Sequence, residues 1–312
     1  MVTVAVADEA AERRRRRGVR PLPDGLVLGA FLVPALVLLG VTQFWPLAAS
    51  FGISLHDWTL ARSPVMGEFV GAANYARVLS DGQFTGALGF TLALALGSTA
   101  LSLAAGLALA LLTVGEDGRL RLVRALLLFP MVIAPVAVGT IWRMILSARV
   151  GTLNGMLGAL GLPQPNWLGD PMLARISLAV IDAWQWTPFV MVVMAAALTA
   201  LPADVLRAAR MDGAGRALVF RRITLPLILP TLMLVGMFRL VDALMTLDIV
   251  VTTTGGGPGF ATQTLSWWIY QQGLRYFNLS VAAAASWLLL ALCFGVAALM
   301  LLARRRAARW LP

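Results

Sequence analysis

Apolar residues run along this chain in unbroken blocks rather than in alternation. Six stretches with few or no charges occupy 26–50, 84–113, 125–146, 178–201, 227–251 and 279–303. A hydrocarbon core ~30 Å thick takes about 20 helical residues to cross, at ~1.5 Å each, so each block has the length of a membrane-spanning helix. Barrel strands would alternate lipid-facing and lumen-facing positions, and these blocks do not. The fifth is the most interrupted, by Arg239, Asp242 and Asp248. The pattern predicts an all-α polytopic membrane protein with six transmembrane helices, which puts both termini on one side. Its parts are an N-terminal tail over 1–25, a membrane domain over 26–303 and a C-terminal tail over 304–312.

Composition agrees: 59% of residues are apolar and 13% charged, against about half and about a quarter in soluble domains. The net charge of +10 would suit nucleic acid if the basic residues shared one folded surface with stacking aromatics. Instead all 25 are arginines, and most lie between the apolar blocks. Eighteen fall on one side: positions 13–17 and 20, Arg119, Arg121, Arg124, Arg207, Arg210, Arg216, Arg221, Arg222, Arg304, Arg305, Arg306 and Arg309. The opposite loops hold five, Arg62, Arg77, Arg149, Arg175 and Arg275. Positive charge stays cytoplasmic, so both termini are expected in the cytoplasm. The N-terminal cluster reads as an orientation signal with affinity for anionic lipid heads. A cleaved leader would have an apolar core of about 7–15 residues, shorter than the block that follows.

Little is available for chemistry. One cysteine, Cys293, and one histidine, His56, exclude an internal disulfide, a His/Cys metal set and a Cys–His or Ser-His-Asp constellation. No catalytic residue and no metal site is expected, and His56 reads as a solvated loop histidine. There is no lysine, hence no G-x-x-x-x-G-K-S/T phosphate loop. Gly255, Gly256 and Gly257 suit a sharp turn where the fifth span leaves the membrane.

The loop between the fourth and fifth spans, about 202–226, is the most unusual connection. Pro202 and Asp204 suit a helix start, with the carboxylate near the positive end of the dipole. Residues 205–211 make one or two turns, Gly213 suits a left-handed stop, and a second short helix over 215–223 leads to Leu225 and Pro226. The expected product is a helix–turn–helix along the cytoplasmic surface. It is either an amphipathic connector touching lipid heads or a knob gripped by a soluble partner.

Here a family resemblance enters. Ala208, Ala209, Asp212, Gly213, Ala214, Phe220, Ile223, Leu225, Pro226 and Pro230 resemble the "EAA" loop of ABC-importer permeases, the membrane subunits of binding-protein-dependent uptake systems. Phe69, Val70, Gly71, Asn74, Tyr75, Leu79, Asp81 and Phe84 look like the stretch before that family's second span. Trp184, Pro188 and Phe189 match its fourth-span pattern. Thr254, Gly255, Gly256, Gly257 and Pro258, then Thr264, Leu265 and Tyr270, look like the carbohydrate-type, maltose-like subfamily, whose members handle sugars and glycerol-phosphate compounds.

The resemblance implies a type I ABC-importer permease fold in a bacterial inner membrane. It implies a second permease subunit, two copies of an ATP-binding subunit that bind ATP and Mg, an extracytoplasmic solute-binding protein and a small carbohydrate as cargo. No cofactor is implied on this chain. Asp204, Arg207, Ala208, Ala209, Asp212, Gly213 and Ala214 would form the coupling contact to the ATPase, and Gly255–Pro258 would face the binding protein. One departure stands out: Arg207 occupies the place of the family's glutamate, so either Asp204 or an acid on the partner would replace that contact.

Charges inside a membrane face protein or a water-filled cavity. Arg239 and Asp242, three residues apart, share a helix face. Asp248 lies about two turns further on the same predicted span, and Asp182 stands alone in the fourth, ahead of Trp184, Gln185 and Trp186. One reading puts Asp182, Trp184, Gln185, Arg239, Asp242 and Asp248 around a translocation path, where carboxylates and amides accept sugar hydroxyl protons and a tryptophan stacks on a sugar face. The other is ion pairing that fixes helix packing. Trp167, Trp267, Trp268 and Tyr270 in the outer loops read mainly as interface anchors. An ion-coupled secondary transporter is the rival function. It would prefer an inverted repeat, and 26–146 shows no such similarity to 178–303.

Overall fold

The computed structural model describes residues 24–114 and 118–308. The arginines at 13–17, 20 and 309, and most of the two predicted tails, lie outside the described residues. Among those described there is no strand, only two isolated bridges, His56 with Phe69 and Thr59 with Asn278. The helices are α1 Gly29–Ser54, α2 Ala73–Ser80, α3 Gly82–Thr113, α4 Gly118–Leu127, α5 Phe129–Val132, α6 Pro135–Ile145 and α7 Thr152–Ala159. They continue with α8 Pro171–Thr199, α9 Ala203–Met211, α10 Arg216–Leu244, α11 Asp248–Thr253, α12 Leu265–Tyr270 and α13 Leu279–Ala308. The chain divides at Gly52 into two compact units. The first holds most of α1, an apolar helix with no buried stretch; the second holds everything after it.

Among the described residues five helices, α1, α3, α8, α10 and α13, are long and apolar enough to cross a membrane. The third predicted span is not straight: Leu122–Val132 and Pro135–Ile145 meet at 96°. Pro135 is the cause, because its ring disfavours the helical region for the residue before it. Ala134 is accordingly extended, with ψ of 136°, and Ile133 before it is extended as well, with ψ of 133°. The fifth predicted span also needs correcting. It stops at Leu244, and Asp248 opens a separate short helix, α11, with its carboxylate at the favourable dipole end. At its other end α10 begins at Arg216, so the expected second surface helix is the first part of the span itself.

Within the second unit α8 lies along α3, and α10 packs on both α3 and α13. The α3–α8 approach is close because Gly106 offers no side chain: a Cβ there would sit 2.5 Å from Val190 Cβ. Met191, Met194, Ile228 and Val235 fill the neighbouring core. The stretch before α3 is a built corner rather than a ligand site. Asn74, fully buried, donates to the carbonyls of Ser54 and His56 at 2.9 and 2.8 Å. Asp81 caps α3 by accepting from the amides of Gln83 and Phe84, and Phe84 meets Trp268 edge-on. Trp267 and Trp268 are buried, not interfacial, and Trp167 donates to Asn154 at 2.8 Å. His56 is half-buried, edge-on to Phe69.

Candidate functional site

The two helix breaks meet α8 at a cleft of about 250 Å³, lined among others by Pro135, Asp182, Gln185, Trp186, Asp242, Thr246 and Asp248. Each break frees backbone groups that neighbours must satisfy. At the first, Gln185 Nε2 donates to the Ile133 carbonyl at 3.1 Å. At the second, Thr264 Oγ1 donates to the Thr246 carbonyl at 3.1 Å, while the same oxygen caps α12. A residue of the glycine-rich segment between α11 and α12 thus braces the break that opens the cleft.

Beneath the cleft lies Arg239, its side chain wholly buried. Nη1 donates to Asp242 Oδ2 at 2.9 Å, Nη2 donates to Ser98 Oγ at 3.2 Å, and Asp182 of α8 forms an ion pair with the same guanidinium. The Trp186 ring stacks over it at 5.6 Å. Asp182 is therefore not alone in its span: α3, α8 and α10 are tied together through one arginine. A buried charge in low dielectric demands such compensation.

Asp182, Gln185, Asp242 and Asp248 all line the cleft, whereas Trp184 does not. It faces the opposite side of α8, edge-on to Trp142 at 5.4 Å, in a second and largely apolar depression with Leu101, Leu127 and Pro188. Trp186 is the tryptophan at the cleft. The sequence held the signal, since Gln185 and Trp186 follow Asp182 by three and four residues and share its face, while a two-residue step turns a helix by ~200°.

The loop between α8 and α10 is built differently. Gly213 is left-handed (φ 75°) and Ala214 N–H donates to the Ala209 carbonyl at 3.0 Å, closing α9 with a Schellman stop. Asp204 accepts from Arg207 in an exposed pair, Asp212 and Ala208 are exposed, and Ala209 turns inward. Met211, 88% exposed, and Val205 leave apolar surface on this projecting helix. In the segment between α11 and α12, Gly255 and Gly256 are also left-handed. Gly256 is buried under Trp267, whose Nε1 donates to the Gly255 carbonyl at 3.0 Å, and Thr262 Oγ1 donates to the Gly257 carbonyl. Gly257 and Pro258 are half-buried. Among the described residues no group of His, Cys, Asp and Glu could hold a metal ion.

Broken membrane helices around a charged cleft, with a short helix projecting between two spans, define a transporter subunit. The fold matches a solved bacterial ABC transporter involved in the import of the acidic polysaccharide alginate, with a TM-score of 0.78 over 96% of this chain and 99% of that chain, at 23% identity. Residues 105–309 match the family described as binding-protein-dependent transport system inner membrane component, and the chain belongs to that family. It is 33% identical, over 95% of its length and 94% of the relative's, to the probable ABC transporter permease protein y4oQ of Sinorhizobium fredii. It is 34% identical to the trehalose/maltose transport system permease protein MalF of Thermococcus litoralis, over 80% of this chain and 82% of that protein. The chain is a non-catalytic, multi-pass inner-membrane permease subunit of an ABC importer. It works with a second permease subunit, a binding protein and a separate ATPase subunit that hydrolyses ATP. The secondary-transporter alternative falls with this kinship.

Proposed function

We propose that this chain forms half of the translocation path of a carbohydrate importer, with the cleft above Arg239 as part of that path and α9 as the helix that couples it to the ATPase. The observation that carries the reading is the continuity of α10. Arg216 follows α9 after the Gly213–Gly215 turn, and the helix then runs on to Asp242 and the break that opens the cleft. From Arg216 to Arg239 is about 35 Å at ~1.5 Å per residue, so a push on α9 reaches the cleft along one unbroken helical stretch, through a π-helical turn at Phe220–Thr224. Asp204, Arg207, Ala208 and Asp212 offer the exposed contact, and Ala209, Gly213 and Ala214 hold its shape.

The carbohydrate class is supported by the trehalose/maltose relative, and the arginine distribution supports cytoplasmic termini flanking a 26–303 membrane domain. The binding protein docks beside the turn at Gly255, Gly256, Gly257 and Pro258. ATP with Mg draws two ATP-binding subunits together, and α9 carries their motion into α10. Purification from native membranes in mild detergent, with mass spectrometry of the companions, tests this. An ATPase and a second permease should accompany the chain, and Ala209→Trp should release the ATPase. A homodimer that moves sugar into liposomes without ATP would overturn the reading.

A further inference from the structure

The relatives' names span a neutral cargo, trehalose and maltose, and an acidic one, alginate, so kinship leaves the charge of this chain's solute open. The cleft bears on it directly. Its charged lining is carboxylate only, from Asp182, Asp242 and Asp248. Arg239 lies beneath that lining and is not part of it: Nη1 and Nη2 are held by Asp182, Asp242 and Ser98, and Nε is enclosed without a partner. Three carboxylates against one guanidinium leave a formal charge of minus two.

A second observation is independent of charge. Gln185 is 2% exposed and lines the cleft. Its amide orientation is fixed, because the Ile133 carbonyl it meets can only accept and so selects Nε2. Oε1 then has no partner, and neither does Asp182 Oδ1. Buried acceptors without donors are costly, and hydroxyl hydrogens of a bound solute would relieve that cost once the wall opens onto the cleft. We propose that the cleft passes a neutral, polyhydroxylated solute and rejects one bearing a phosphate, sulfonate or carboxylate. The proposal rests on reading the cleft as the path.

The test uses the assembled complex with Cys293→Ser and Thr246→Cys, reacted with methanethiosulfonates carrying either trimethylammonium or sulfonate. Each forms a mixed disulfide with the thiolate and releases methanesulfinate. Rates are divided by those with free β-mercaptoethanol, and their ratio cancels the thiolate fraction. The cationic reagent should be favoured on the order of tenfold, the scale of focusing by a one-signed cleft. That preference should fall several-fold with Asp248→Asn, or with added salt if this variant fails to assemble. Equal normalised rates, a faster anionic reagent, or a ratio indifferent to both changes would overturn the proposal. A cysteine unreactive to both reagents and to a small neutral methanethiosulfonate, in every nucleotide state, would overturn the path reading instead.

Discussion

Two Arg–Asp pairs with the same spacing sit in opposite environments, one on α9 and one at the cleft end of α10. Asp204 and Arg207 on α9, and Arg239 and Asp242 on α10, are each three residues apart and bonded. The first pair is exposed on both sides and follows the helix dipole, with the acid nearer the N-terminus. The second reverses that order, buries its arginine completely and recruits Asp182 and Ser98 from two other helices. Identical local chemistry thus serves two purposes. On α9 it leaves a surface free to bind something else, and under the cleft it locks three spans together.

The comparison breaks most sharply at Arg239. Replacing it with Met strands Asp182 in a buried site, and removing one partner of such a pair costs about 3–5 kcal/mol. The thermal midpoint in detergent should collapse, and adding Asp182→Leu should restore much of it, since an apolar substitute for a buried pair is often near neutral. A smaller loss is expected for Gln185→Leu, which leaves the Ile133 carbonyl without its donor, at about 1–3 kcal/mol. The same melting assay checks it. Gly213→Val meets no neighbour but forces a side chain into the left-handed region, costing roughly 1–2 kcal/mol. ATP-driven uptake should fall much further than the melting temperature. At the bottom of the scale, Arg207→Ala should change stability by less than ~0.5 kcal/mol, as exposed i,i+3 pairs do. A drop comparable to that of Arg239→Met would erase the distinction between the two pairs.

Much of this was legible in the sequence, and the rest was missing for physical reasons. Block lengths located the apolar helices, the three-residue spacing paired Arg239 with Asp242, and Gly213 announced the end of α9. The bend at Pro135 and the new start at Asp248 were also written there, in the restriction before proline and in an acid at a helix N-terminus. They were obscured because the apolar run continues across both breaks. Asp182 meeting Arg239 had no local signature, being a contact between residues 57 positions apart in sequence on separate helices. The burial of Trp267 and Trp268 is likewise a tertiary fact. Several motif residues prove to be architecture: Asn74 ties a corner, Asp81 caps α3, and Thr264 braces the break beside the cleft.

The central claim is that α9 and the cleft move as parts of one lever. It is tested most directly by the reactivity of Met245→Cys, at the cleft end of α10, toward a small neutral thiol reagent in the assembled complex. Rates would be compared without nucleotide and with ATP and vanadate, in the native loop and with Gly213→Val. A nucleotide-dependent change in rate is expected with the native loop, and its loss, with the ATPase still bound, in the Gly213 variant. A rate indifferent to nucleotide in the native complex, or a response that survives the loop substitution intact, would contradict it.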